Sequence, residues 1–228
     1  MVDVTIKYNS IQAIGYVSCK VPDDVFVVVK QEVQEIIDSK FKNAIPFNDK
    51  LAGNIEHEFG LINCADILDK FFNLVIPEYW KLQGDFEESK NKYHIRKKPI
   101  KNEPEIWVNI QKKYEINPMH NHGGILSFVL FLKIPYDLKE ERSLPHVRNS
   151  NFSLGPYFSF FYPALPEHSD LHKFGHRFVG EHYISVDKNW EGTMIIFPAW
   201  MQHMVTPFYT SDEYRISVSG NLVPINNG

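Results

Sequence analysis

The sequence predicts a mainly β fold, a sandwich or barrel in the C-terminal half with N-terminal helices packed outside it. Three observations carry this. Two stretches of the first 80 residues repeat apolar residues at close to 3.6-residue spacing. From Glu105 onward the texture changes to short runs: IWVNIQ, ILSFVLFLKI, YFSFFY, HYISV, TMIIFP and YRISVSGNL, separated by Pro, Gly, Asn and Asp. Such runs, bounded by turn residues, read as strands of a sandwich or barrel. The 17 Phe, 11 Tyr and 4 Trp fall largely in this half, where they supply the bulk a β core needs.

In order, residues 2–21 alternate weakly, and VTIKY and AIGYVSCKV are candidate short strands. Pro22-Asp23-Asp24 opens a helix over 23–39, with carboxylates in the first turn and Val25, Val28, Val29, Val33, Ile36 and Ile37 on one face. Residues 40–60 are mixed and read as a loop. A second helix covers 61–80, with Ala65, Leu68, Phe71, Phe72 and Val75 in register and Pro77 placed to kink or end it. Residues 81–104 are charge-rich and read as a solvated connection. The stretch 136–156 is the longest irregular one in the β half, suited to covering a substrate. With 228 residues and 43% hydrophobic content, the chain reads as one domain, 1–228: N-terminal strands and helices over 1–104, and a β core over 105–222.

Composition narrows the function classes. A net charge of −4 argues against a polyanion-binding surface, so no nucleic-acid partner is expected. No apolar run approaches a membrane span, so no membrane partner is expected either. Cys19 and Cys64 are far apart and form no CxxC pair. The first residues lack the basic and apolar regions of a secretory signal. The expected setting is the reducing cytoplasm.

The chemistry is carried by two stretches. Residues 117–135, NPMHNHGGILSFVLFLKIP, place His120 and His122 two apart, ahead of a Gly-Gly step and an apolar strand. In extended chain, residues two apart point to the same side, so both imidazoles would enter one space, held by the strand behind them. Residues 192–221, GTMIIFPAWMQHMVTPFYTSDEYRISVSGN, place His203 just past a strand end, then Arg215 and Ser217 on one face of a later strand. Imidazole is a common transition-metal ligand, and a facial set of three leaves open positions for co-substrate and dioxygen. A buried Arg pairs bidentately with a carboxylate, and Ser217 adds a hydrogen bond.

His-x-ligand, a long gap, His, then Arg-x-Ser resembles the 2-oxoglutarate/Fe(II)-dependent dioxygenases with a double-stranded β-helix (jelly-roll) core. More narrowly, WVNIQKKYEINPMHNHGGILSFVLFLKIP with FPAWMQHMVTPFYTSDEYRISVSGN is similar to the prolyl-hydroxylase-like oxygenases of the kind found in phage genomes. The similarity covers 105–222, and the LAGNI stretch, 51–55, is also similar to the N-terminal region of those proteins. The resemblance implies Fe(II) and 2-oxoglutarate as cofactors, dioxygen as partner, and a primary substrate that is a protein, peptide or small molecule. It makes His120 and His203 iron ligands and Arg215, with Ser217, the partner of the 2-oxoglutarate C5 carboxylate. Asn109 matches a co-substrate-facing Asn by position.

One residue departs from that pattern. The second ligand is usually a carboxylate, and here the position is His122. Three neutral imidazoles raise the charge of the centre by one unit. Two alternatives therefore stay open: a cupin-like three-His metal enzyme that does not use 2-oxoglutarate, and a non-catalytic jelly-roll binding module. The cupin pattern places Glu four residues after the His-x-His pair, where this chain has Leu126. His168, His172 and His176 read as a solvated loop or lid rather than a second metal site.

Overall fold

The computed structural model describes residues 5–11, 14–42, 44–97, 103–151, 155–163 and 179–225. In chain order they form β1 (Ile6–Ile11), β2 (Ile14–Lys20), α1 (Asp23–Asp38), β3 (Ile45–Pro46), β4 (His57–Gly60), α2 (Ala65–Leu82), β5 (Tyr93–Ile95) and β6 (Ile106–Gln111). There follow β7 (Asn117–His120), β8 (Leu126–Lys133), α3 (Leu138–Ser143), α4 (Pro145–Arg148), β9 (Tyr157–Pro163), β10 (Val179–Ser185), β11 (Thr193–Pro198), β12 (Gln202–Val205) and β13 (Arg215–Pro224). His168, His172 and His176 lie outside the described residues. His182 lies in β10, its Nε2 3.2 Å from the Tyr16 hydroxyl.

The chain is mainly β, with two antiparallel sheets and few helices. The larger runs β1-β2-β11-β8-β13-β6-β4-β3, with β5 also paired to β13. The smaller runs β10-β9-β12-β7. Period-2 alternation gives the strands of the larger sheet two working faces. On β13, Ile216 and Val218 join one core cluster with Val25, Val29 and Val33 of α1 and Phe71, Phe72 and Val75 of α2. Neighbouring strands feed the other face into a second cluster. There Val129, Phe131, Ile195 and Phe197 of the larger sheet meet Phe158 and Phe160 of the smaller one. Both faces of β13 are therefore buried, because helices cover one and a sheet covers the other.

The helices follow their sequence signals closely. Asp23 and Asp24 occupy the first turn of α1, where carboxylates offset the exposed N–H groups. From α1, Glu32 reaches the start of α2 and accepts from the backbone N–H groups of Ile62 (2.7 Å), Asn63 (2.9 Å) and Cys64 (2.8 Å). This capping places the start of α2 at Ala65 rather than at residue 61. Pro77 does not end α2, which continues to Leu82 with Ile76 and Tyr79 buried. Burial of that apolar face outweighs the one backbone hydrogen bond that Pro removes.

Three segments are more ordered than their composition suggested. Residues 40–60 contain β3 and β4, and β4 pairs with β6. Residues 81–104 contain β5, whose Tyr93 and Ile95 are buried. Polar neighbours hide these short strands, whose backbone bonds are made to a distant stretch of the chain. Residues 136–156 contain α3 and α4 rather than continuous irregular chain. Glu141 of α3 is fully buried and accepts from Tyr209 N (2.9 Å), Thr210 N (2.7 Å) and Thr210 Oγ1 (2.7 Å). It ties this segment to the turn that leads into β13.

Removing that carboxylate leaves two part-buried N–H groups, those of Tyr209 and Thr210, without this acceptor. Glu141→Ala is expected to lower the free energy of unfolding by about 3 kcal/mol, with Glu141→Gln recovering some of the loss. Chemical denaturation of the variants measures this, and an unchanged midpoint for Glu141→Ala would show that the 209–210 turn holds without the carboxylate.

Candidate metal and co-substrate site

The pairing of β6 with β13 lays out a polar ladder on the face toward the smaller sheet. Opposite partners are Arg215 with Gln111, Ser217 with Asn109, and Ser219 with Trp107. Arg215 and Ser219 are four residues apart, about 14 Å along an antiparallel strand. The Trp107 end adjoins the histidines, its ring centroid 5.3 Å from that of His122. Asn109, Gln111, Ser217 and Ser219 line one cavity with His120, His122 and His203.

His120 ends β7 and faces His203 of β12 as its cross-strand partner. Both strands belong to the smaller sheet, so the apolar run of β8 does not hold His120; the β7–β12 pairing does. His203 follows the end of β11 at Pro198 and itself lies in a further short strand, β12. His122 lies beyond β7 in the following turn, where its backbone N–H donates to Ala199 O (2.8 Å). Gly124 closes that turn at φ +102°, and a Cβ there would stand 3.0 Å from Leu222 O. The left-handed backbone and the close approach both call for glycine.

The ligand nitrogens of the three histidines lie within 4.8 Å of one another. His122 Nε2 and His203 Nε2 are 3.1 Å apart. Two imidazoles at right angles on a metal, each about 2.1 Å from it, would have nitrogens about 3.0 Å apart, so this pair has the spacing of adjacent ligands. Backbone carbonyls set two of the tautomers. His120 Nδ1 donates to Pro118 O (2.6 Å), and His203 Nδ1 donates to Met201 O (3.0 Å). Each Nε2 then carries a lone pair turned toward the cluster, as metal ligation requires.

The surroundings keep the rings neutral. His203 is 2% exposed, and burial followed by the neighbouring His120 and His122 holds its pKa well below the usual value. Burial, then His120, lowers His122 to about 3. Burial lowers His120 as well, against the opposing pull of the Pro118 carbonyl. Phe158 stacks on His203 at 5.5 Å and 14°, and Phe197 meets it edge-on at 4.9 Å. These rings exclude water from one side of the cluster.

Arg215 is 4% exposed. Its guanidinium donates to Gln111 Oε1 (2.7 and 3.1 Å), Thr206 O (2.7 Å) and Tyr136 OH (3.3 Å), and stacks near Tyr136 and Phe208. All of these partners are neutral; among the described residues no carboxylate pairs with it. Asn109 Nδ2 reaches toward Ser217 Oγ at 3.5 Å. The buried amide oxygens of Asn109 and Asn117, both on the cavity wall, have no donor among the described residues.

The residues expected from the sequence thus come together: His120, His122 and His203 as one cluster, with Ser217 and Asn109 on the same cavity and Arg215 next along the ladder. Gln111, Asn117, Trp107 and Tyr136 belong to the same surroundings and were not anticipated. Gln111 was within reach of the alternation argument, being two residues from Asn109. Tyr136 and Asn117 carry no such local signal.

A sequence-family profile described as "Putative 2OG-Fe(II) oxygenase" matches residues 105–221, about half of the chain. A solved Pseudomonas putida prolyl-4-hydroxylase aligns over 91% of both chains, with a TM-score of 0.48 and 13% identity. Among curated proteins nothing matches the chain. With its family signature spanning β6 to β13, the chain belongs to the 2OG-Fe(II) oxygenase family.

Proposed function

We propose that this oxygenase is a hydroxylase that binds Fe(II) through His120, His122 and His203. Arg215 takes the C5 carboxylate of 2-oxoglutarate, with Ser217 and Asn109 beside it. In the same reading, the two sheets are a double-stranded β-helix with α1 and α2 outside it. Residues 1–228 are then a single domain, with N-terminal strands and helices over 1–104 and a catalytic core over 105–222. The observation that carries the proposal is Arg215, a buried cation held only by neutral groups on a polar ladder whose Ser217 and Asn109 share a cavity with three converging imidazoles. A buried charge without a counter-ion is unfavourable by several kcal/mol, and a dianionic co-substrate would supply the missing charge.

When bound, iron with 2-oxoglutarate and dioxygen supplies the oxidising chemistry: one oxygen atom enters the substrate and the other enters succinate as carbon dioxide leaves. The chain's own residues bind and orient. Gln111 and Thr206 hold Nε and Nη2 of Arg215 and so fix the plane of the guanidinium, and a carboxylate would be taken at Nη1, whose bond to Tyr136 is long (3.3 Å). Pro118 O and Met201 O hold two imidazoles in the ligating tautomer. His122 in place of a carboxylate leaves the set neutral, so the bound dianion becomes the main source of negative charge near the metal. The primary substrate is a protein, peptide or small molecule. A reducing, cytoplasmic setting agrees with the buried free thiols of Cys19 and Cys64.

Anaerobic titration with iron, with and without 2-oxoglutarate, tests the reading. An absorption band that requires both supports it. Metal binding indifferent to 2-oxoglutarate supports a cupin-like enzyme, and no metal binding supports a binding module with a degenerate site.

Ligand substitutions have distinct expected outcomes. His120→Ala and His203→Ala should each abolish iron binding or leave it very weak, because two ligands do not make a facial set. His122→Asp should retain or strengthen it. Iron affinity is the measurement: parent-like binding by either Ala variant, or loss of iron in His122→Asp, overturns the assignment.

The anion partner is tested separately. Arg215→Ala should weaken 2-oxoglutarate binding by about 2–5 kcal/mol with iron affinity nearly unchanged. Arg215→Lys should recover only some of this, since a point charge replaces the fork. Equal 2-oxoglutarate affinity in the parent and Arg215→Ala, measured on iron-loaded protein without oxygen, would remove Arg215 from co-substrate binding.

A further inference from the structure

One strand beyond the ladder, outside the family-matched region, stands a carboxyl group with no evident task. Glu58 of β4 is fully buried and pairs directly across from Asn109 of β6. Directly opposed residues of an antiparallel pair project to the same side with Cβ atoms about 5 Å apart. Glu58 Oε1 and Asn109 Oδ1 are both buried, and among the described residues neither has a donor. The other carboxyl oxygen, Oε2, has among them only a long bond from Asn48 Nδ2 (3.4 Å). The loop over 51–55 presses on this group from above, since a Cβ at Gly53 would lie 2.7 Å from Oε1.

Two buried acceptors on directly paired residues can be satisfied together by one proton between them. Leaving both unmatched would be costly. The carboxyl group is the only one of the two that can carry that proton. We propose that Glu58 is a positioning residue that donates its carboxyl proton to Asn109 Oδ1, so that Asn109 Nδ2 is held toward Ser217 and the co-substrate cavity.

The surroundings keep the proton in place. Burial, then the charge of Glu115, push the Glu58 pKa up to about 8. Glu115 faces it from the turn after β6 and is itself bound by Glu56 N and Lys112 N. Lys112 is paired with Glu56 and so does not neutralise Glu58. Asn48 is neutral, and Arg215 lies one ladder step further along. At neutral pH the group is therefore a donor. Above about pH 8 it becomes acceptor-only, and the Asn109 amide oxygen beside it loses its donor.

The contact itself does not depend on iron or 2-oxoglutarate; its effect on co-substrate binding rests on the reading proposed above. In metal-free protein, the NMR resonances of the Asn109 side-chain amide should shift with pH through about 8 in the parent and not in Glu58→Gln, whose amide donates at every pH. Amide resonances that are pH-invariant in the parent overturn the proposal. In iron-loaded, oxygen-free protein at neutral pH, Glu58→Gln should bind 2-oxoglutarate as the parent does, whereas Glu58→Ala should bind it about tenfold more weakly, having lost the donor. If Glu58→Ala matches the parent, Glu58 does not position Asn109. If the parent itself fails to bind 2-oxoglutarate, the function reading falls, and the amide resonances still decide the contact.

Discussion

A cation sealed between two sheets is the constraint on which the rest of this structure depends. Arg215 is buried because its own face of β13 is covered, with Tyr136, Thr206 and Phe208 packed against the guanidinium. Sequestered in this way, the guanidinium donates to the amide oxygen of Gln111, the carbonyl of Thr206 and the hydroxyl of Tyr136, and none of these brings a charge. Hydrogen bonds of this kind fix direction without cancelling the field, so the guanidinium keeps an uncompensated positive charge.

The three histidines answer a related problem. Close imidazoles in a desolvated space cannot all be protonated, because burial and mutual repulsion both oppose the charged form. Each is therefore available as a neutral ligand, and backbone carbonyls two residues upstream select the nitrogen that faces inward for two of them. The same local motif occurs on β7 and β12, which pair across the sheet. The His120–His203 unit is thus a property of strand pairing, and His122 is added to it by a turn.

Carboxyl groups placed away from the cavity hold the fold together by satisfying backbone donors. Glu32 caps the start of α2, and Glu141 holds the turn before β13. Each bridges segments far apart in the chain, which is why α2 begins at Ala65 and why α3 is held against the turn before β13. Glu58 differs in having almost no donor, and this singles it out from the other buried acids.

Local patterning determined much by itself. The 3.6-residue spacing of α1 and α2 and the short apolar runs of β6, β8, β9, β11 and β13 are visible in the residues, because each element buries a face whose period is set by its own backbone. The alternation of Arg215, Ile216, Ser217 and Val218 likewise assigned two faces before any partner was known. What lay on each face was not legible: that helices would meet Ile216 and a second sheet would meet Arg215 depends on strand order. β4, β5 and β12 are stabilised by hydrogen bonds to remote strands, so their polar sequences carried no periodic sign of them. The convergence of His122 with His203, 81 residues apart, and the opposition of Glu58 to Asn109 were decided by register, which only the assembled sheets define.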